Sequence, residues 1–140
     1  MKLLKRTRIF FSKVIISITS LVVIILTSLF FHLLSLNFMI NKTKLISSIL
    51  LKFSKKVFSL NIIFSLSRRL SKILLISSCL KICLAQKIIF AFFGYDVKIV
   101  CGVRNSGDRP FEGHAWLAYN DKLLLEVNEK VDCYVHSFEI

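Results

Sequence analysis

The sequence predicts an α+β fold, with N-terminal apolar helices followed by a short antiparallel sheet. Three observations predict it. Residues 1–95 carry fifteen Lys or Arg and no acid, whereas residues 96–140 carry five Lys or Arg and all eight acids. All four glycines (Gly94, Gly102, Gly107 and Gly113) and Pro110 fall in the second segment. The apolar periodicity changes from helical to alternating at Gly94. The net charge of +12 over 140 residues is therefore +15 before residue 96 and −3 after it. A hydrophobic content of 55% excludes a disordered chain. Four Gly and one Pro exclude a collagen or linker polymer, and four Cys are too sparse for a disulfide scaffold. The chain is read as a basic apolar helical region over 1–76 and a mixed, turn-rich region over 77–140.

Val14 to Asn41 is a 28-residue stretch without Lys, Arg, Asp or Glu. It exceeds the roughly 20 residues needed to cross a bilayer. A membrane helix over 14–41 and a buried or membrane-surface helix are the two readings. A weak polar stripe of Lys13, Ser17, Ser20, Thr27, Ser28 and Ser35 at helical spacing favours the second. Five basic residues precede the stretch and five follow it, so charge leaves the orientation open. No small-x-small site marks a cleavable signal peptide. Residues 42–76 continue as apolar segments broken by Lys55-Lys56 and Arg68-Arg69. Such pairs can bind nucleic acid or anionic lipid, but solvated helix faces are the favoured reading. With no aromatic-rich motif beside them, a nucleic-acid partner is not expected.

Ser77-Ser78 precedes an apolar run from Cys79 to Phe93 that ends in Gly94. Ser is a good N-cap and Gly a good residue just past a helix end. The run is apolar nearly all round, which predicts a central buried helix. Cys79 falls on its first turn, where free N–H groups and the positive dipole end favour a thiolate and an oxyanion. Cys83, one turn later, reads as packing, and so does Cys101. Val97 to Val103 alternates as a strand, and Arg104 to Gly113 is a turn-rich loop. His114 to Tyr119 is a second strand, followed by a turn at Asn120-Asp121 and a third strand over Lys122 to Val127. Trp116 reads as a core or pocket-wall residue.

A helix-borne Cys, a strand-borne His and an acid on the next strand are the parts of a thiol nucleophile system. The Cys needs a base, and the base needs a group to hold its tautomer. Cys79, His114 and Glu126 are the candidate set. Hairpin register bears on Glu126. A three-residue turn over 120–122 pairs Glu126 with Trp116 and sets it on the face of His114, whereas a two-residue turn pairs it with Ala115 on the other face. The odd turn, or a bulge, is the expectation. Asp121, Glu129 and Asp132 are the substitutes if the turn is even. The cysteine pairs and the scattered His32 and His136 do not show the spacing of a structural metal site.

The segment CLKICLAQKIIFAFFG resembles the signature of lasso-peptide biosynthesis B proteins, which are transglutaminase-like cysteine peptidases. Cys79-Leu80, Leu84-Ala85 and Gly94 sit in the register of that pattern, as do Gly102-Val103-Arg104 and His114-Ala115-Trp116. The resemblance covers about Ser77 to Glu129. It implies a transglutaminase/papain-like core, with a central Cys-bearing helix packed on an antiparallel sheet. It makes Cys79 the nucleophile and His114 the base. Glu126 stands where the family usually has Asp, and Ala118 where it often has Glu. The implied activity is removal of the leader from a ribosomally made precursor peptide. The implied partners are that precursor, a stand-alone leader-recognition protein and an asparagine-synthetase-like macrolactam cyclase, with membrane or exporter association alongside. The resemblance also implies ATP dependence, although no cofactor and no phosphate-binding Gly loop is evident in the sequence. Reduced thiols fit a cytoplasmic site, on a membrane or free of one. The alternatives are a non-enzymatic membrane protein, a transglutaminase-like enzyme with another substrate, and a pseudoenzyme.

Overall fold

A computed structural model of the chain describes residues 2–76, 78–104, 112–125 and 134–140, with side chains described at residue 7 and from residue 9 onward. Among the described residues, four helices, α1 (Lys2–Leu33), α2 (Leu36–Phe53), α3 (Leu60–Ile73) and α4 (Cys79–Phe92), precede four strands. The strands are β1 (Lys98–Arg104), β2 (Glu112–Tyr119), β3 (Lys122–Leu124) and β4 (Val135–Glu139). They form one antiparallel sheet in the order β3-β2-β1-β4. The α+β expectation therefore holds, with helices first and the sheet after.

The long uncharged stretch is not one helix. The chain breaks at Leu34 and Ser35, so residues 14–41 are shared between α1 and α2. The segment long and apolar enough to cross a membrane is Ile9–Leu33, which corrects the expected bounds. The break lets both helices pack on α4. α1 buries a narrow stripe of Ile16, Ser20, Ile24 and Thr27, spaced by one turn. The buried positions 16 and 24 are aliphatic, so the polar stripe read from sequence coincides with the docking stripe only at Ser20 and Thr27.

α4 is the central element, as its composition predicts. It packs against α1, α2 and α3 and against β1 and β2. Leu84, Ile89 and Phe90 are fully buried, in one core with Ile16, Ile24 and Ile63 on the helical side and Ile99, Ala115 and Leu117 on the sheet side. Its two buried polar residues each donate one side-chain hydrogen bond, although Gln86 Oε1 has no hydrogen-bond partner among the described residues. Gln86 Nε2 donates to Ser67 Oγ at 2.9 Å, and Lys87 Nζ donates to the Val97 carbonyl at 2.5 Å. Burial lowers the Lys87 pKa, with Asp96 opposing and Lys44 adding to the effect. The folded state therefore disfavours its charge, and this residue's contribution to stability rises as pH climbs through the lowered pKa toward 10.5.

Both α3 and α4 end in the same hydrogen-bond pattern. After α4, Gly94 N–H donates to Ala91 O and Tyr95 N–H to Phe90 O, with Gly94 at φ +79° and the Tyr95 and Phe90 rings in contact. This is a Schellman motif with its apolar contact. After α3, Leu75 N–H donates to Lys72 O and Ile76 N–H to Ser71 O, but the left-handed residue is Leu75, at φ 53°. A side chain in that conformation costs about 1–2 kcal/mol. Leu75 is 87% exposed, so its side chain gives little packing in return. Leu75→Gly is expected to raise stability by about 1 kcal/mol, visible as a higher denaturation midpoint at unchanged slope.

Candidate active site

Ser78 occupies the N-cap position of α4 but makes no side-chain cap hydrogen bond. The first-turn N–H groups, which have no partner inside any helix, are left uncapped by that hydroxyl. Cys79 opens this turn and is half-buried. Its Sγ lies 4.0 Å from the carbonyl oxygen of Gly113, the residue before His114. One turn on, Cys83 Sγ is 3.3 Å from the Ala115 carbonyl, so α4 runs along β2 with both thiols against its backbone. Cys83 is buried, as expected of a packing residue. Cys101 on β1 pairs with Ala115. Burial pushes the Cys101 thiol pKa up, and the nearby charge of Cys79 adds to the rise. The nucleophile candidate, β1 and the start of β2 therefore converge at the N-terminal end of α4.

His114 pairs with Gly102 across β1 and β2. Its ring lies 4.6 Å from that of Trp116 and 5.8 Å from that of Tyr134, and the latter two are 5.0 Å apart. Gly102 makes room for this cluster, because a Cβ there would sit 3.0 Å from Trp116 Cζ3 and 3.2 Å from Tyr134 Cβ. Trp116 is buried, consistent with its reading as a core or pocket-wall residue.

The hairpin that carries the candidate acids differs from expectation. The hairpin after β2 pairs Tyr119 with Lys122, Ala118 with Leu123 and Leu117 with Leu124, a two-residue turn rather than the expected odd one. The reason is local. Asn120 at φ 50° and Asp121 at φ 60° both adopt the left-handed conformation, which gives the mirror-image turn whose twist matches its strands. The described part of β3 ends at Leu124, and Glu126 lies outside the described residues, as do Glu129, Asp132, Cys133 and the loop over 105–111. Asp121 is removed as a substitute. It sits at the hairpin tip, 92% exposed and 3.7 Å from Lys98, at the far end of β2. That end is about 17 Å from His114 at roughly 3.4 Å per residue.

Glu112 is the acid that sequence reasoning passed over. It lies two residues before His114 on β2, pairs with Arg104 in the ladder, and is hydrogen-bonded to the Arg104 guanidinium. The Arg104 hydrogen bond, then its charge, holds the Glu112 carboxyl below the usual carboxylate range, and Tyr134 and His114 act in the same direction. The Arg104 guanidinium also lies 5.3 Å over the Tyr134 ring. The signal in the sequence was that Arg104 and Glu112 bracket the turn-rich loop, which makes them cross-strand partners. Among the described residues, no group of three His, Cys, Asp or Glu side chains is gathered as a metal site requires.

The Transglutaminase-like superfamily model matches residues 61–139, more than half of the chain, from α3 through β4. The chain belongs to the transglutaminase-like superfamily. Neither a curated protein nor a solved structure matches it. Members of the superfamily are usually cysteine-protease-like enzymes, and this transglutaminase-like chain has the corresponding layout of a Cys-bearing helix packed against an antiparallel sheet. Its α1 and α2 lie outside the matched segment.

The ion pair beside His114 has a direct titration consequence. In Arg104→Gln, the Glu112 carboxyl loses the largest causes of its lowered pKa and is expected to titrate higher, toward the ordinary value of 4.5. Carboxyl carbon shifts followed by NMR across the acid range check this. Because the folded pKa is lowered, the pair stabilises the fold above the ordinary carboxylate pKa. That contribution fades as pH falls through the lowered one.

Proposed function

We propose that this transglutaminase-like chain is a cysteine peptidase that removes the leader from a ribosomally made precursor peptide in lasso-peptide biosynthesis. The observation that carries the reading is the Cys79 thiol at the α4 N-terminus, against the backbone immediately before His114. The signature residues from Cys79 to Trp116 support the finer assignment.

In this reading, Cys79 Sγ attacks the scissile carbonyl carbon while His114 accepts the thiol proton. The carbonyl electron pair moves onto oxygen, where N–H groups of the first turn of α4 hold the oxyanion. The C–N bond then breaks, His114 returns the proton to the leaving amine, and a thioester remains on Cys79. Water, deprotonated by His114, adds to the thioester carbonyl. The C–S bond breaks, the leader leaves as a carboxylic acid and the thiol is restored. The freed amine is the N-terminus that an asparagine-synthetase-like cyclase joins into a macrolactam. A stand-alone recognition protein delivers the precursor, and ATP dependence belongs to that assembly. The even turn removes the register argument for Glu126, so the third group that holds the imidazole is proposed to be either Glu126 or Glu112, which alternates onto the His114 face of β2. Comparing kcat in Glu126→Gln and Glu112→Gln decides between the two carboxylates.

The test combines the full chain, a precursor peptide and the recognition protein, and follows leader release by mass spectrometry. The expected result is one cut, with an acyl adduct on Cys79 that hydroxylamine discharges. A leader that stays attached under these conditions overturns the proposal.

A further inference from the structure

Between α1 and α2 lies a groove of about 380 Å³, lined by Val23, Leu26 and Phe30 of α1, Met39 and Ile46 of α2, and Ile88 of α4. Its volume is that of a small-ligand site, roughly 300–1,000 Å³. Lys42 is the one charged residue in its lining. The surrounding surface is apolar too. Phe10, Phe11, Ile18 and Leu33 are each more than half exposed, and only 22% of the most apolar part of α1 is buried. Extensive exposed apolar surface along a helix marks a protein or membrane contact.

We infer that the α1–α2 groove seats an acyl chain of an anionic membrane phospholipid, with Lys42 meeting the phosphate. Charge selects this occupant. No carboxylate occurs before Asp96, and Lys42, Lys44, Lys52, Lys55 and Lys56 are all exposed. A second copy of the chain would bring the same positive field against itself. A nucleic acid would match the charge but leave the groove unfilled. A free fatty acid would fill the groove but leave the wide apolar face of α1 in water. An anionic bilayer satisfies all three features, because basic residues at its surface and apolar residues below it both contribute to binding. The inference is independent of the peptidase reading, since apart from Ile88 the groove is lined by residues outside the matched family segment.

The test mixes the full chain in detergent with phosphatidylcholine vesicles, with or without phosphatidylglycerol, removes the detergent and measures flotation. The chain is expected to float with the phosphatidylglycerol vesicles and several-fold less with phosphatidylcholine alone. Lys42→Gln is expected to weaken the anionic partition about fivefold. Lys122→Gln, on the hairpin beyond β2, leaves it unchanged. Location in the groove is read from Phe38→Trp, since Phe38 lines it and Trp116 is the single native tryptophan. Phosphatidylglycerol with a doxyl group on its acyl chain is expected to quench the introduced indole and leave Trp116 emission as it is in the wild type. Flotation indifferent to phosphatidylglycerol and to Lys42 overturns the inference. So does quenching by doxyl-stearate but not by the doxyl phospholipid, or a stable dimer that fails to float.

Discussion

Cys79→Ala is expected to lower kcat for leader cleavage by about 10⁴-fold or more, as loss of a covalent nucleophile does in other hydrolases. His114→Ala is expected to fall in the same range. The double variant should be scarcely worse than either single one, because nucleophile and base act as a unit. Stability should stay close to wild type in Cys79→Ala. Cys79 is only half-buried, and alanine is the best helix former for the first turn of α4. Cys83→Ala is the matched control. Its thiol is buried against the Ala115 carbonyl, so its removal costs packing but leaves the chemistry in place. Circular dichroism and a denaturation midpoint, measured beside leader release, separate the two effects. Cleavage at the wild-type rate in either Cys79→Ala or His114→Ala refutes the assigned roles. Equal loss in Cys79→Ala and Cys83→Ala, with equally lowered midpoints, would attribute the effect to packing.

Gly94→Ala is expected to be the most destabilising conservative change in the second half of the chain. Two costs combine there. The φ of +79° disfavours any residue with a Cβ, by about 1–2 kcal/mol. An added Cβ would also sit 2.8 Å from the Lys55 carbonyl carbon and 3.0 Å from the Lys56 nitrogen, both backbone atoms that no rotamer change can move aside. Overpacking of that kind adds about 1–3 kcal/mol. The sum, about 2–5 kcal/mol, corresponds to a fall in Tm of roughly 10 °C for a chain of this size. The effect reaches beyond α4, because the approaching segment is itself anchored on the sheet. Lys56 Nζ donates to the Tyr119 hydroxyl at 3.0 Å, and the Tyr95 hydroxyl donates to the Phe58 carbonyl at 2.7 Å. Displacing residues 55 and 56 strains both links. Gly113→Ala is the control, since a Cβ there meets nothing within 4 Å. A Tm for Gly94→Ala within a degree or two of that control would show that the backbone approach is not constraining.

Much of the fold was legible because each signal was local. The Cys79 helix announced itself by an apolar run between Ser78 and Gly94, and the left-handed residue past its end is the glycine expected there. The α4 surface is apolar all round because other elements cover it on every side, so composition alone revealed a central helix. β4 gave no such signal. All five of its residues are exposed, and it joins β1 through backbone pairing with a shift between Cys101 and Gly102, so no apolar alternation betrays it. The break at Leu34 and Ser35 carries neither Gly nor Pro, and α1 therefore read as running on into α2.

The candidate site divides along the same line. Residue type and position named Cys79 at a helix start and His114 on a strand, and those assignments needed only periodicity and turn chemistry. Which atoms meet was decided by tertiary packing. The thiol reaches the Gly113 carbonyl because α4 is laid along β2, and Arg104 reaches Glu112 because β1 and β2 pair in one register. The turn shows why the sequence could go no further. Asn120-Asp121 fits an even or an odd hairpin equally well as composition, and only the φ angles of the folded chain select the even one. The change in charge at Asp96 was legible in the same way. It separated a basic helical segment from an acidic sheet segment, but one core joins the two, since α4 buries its sides against both. Local chemistry fixes what each segment is. Burial, which depends on every other segment, fixes what it touches.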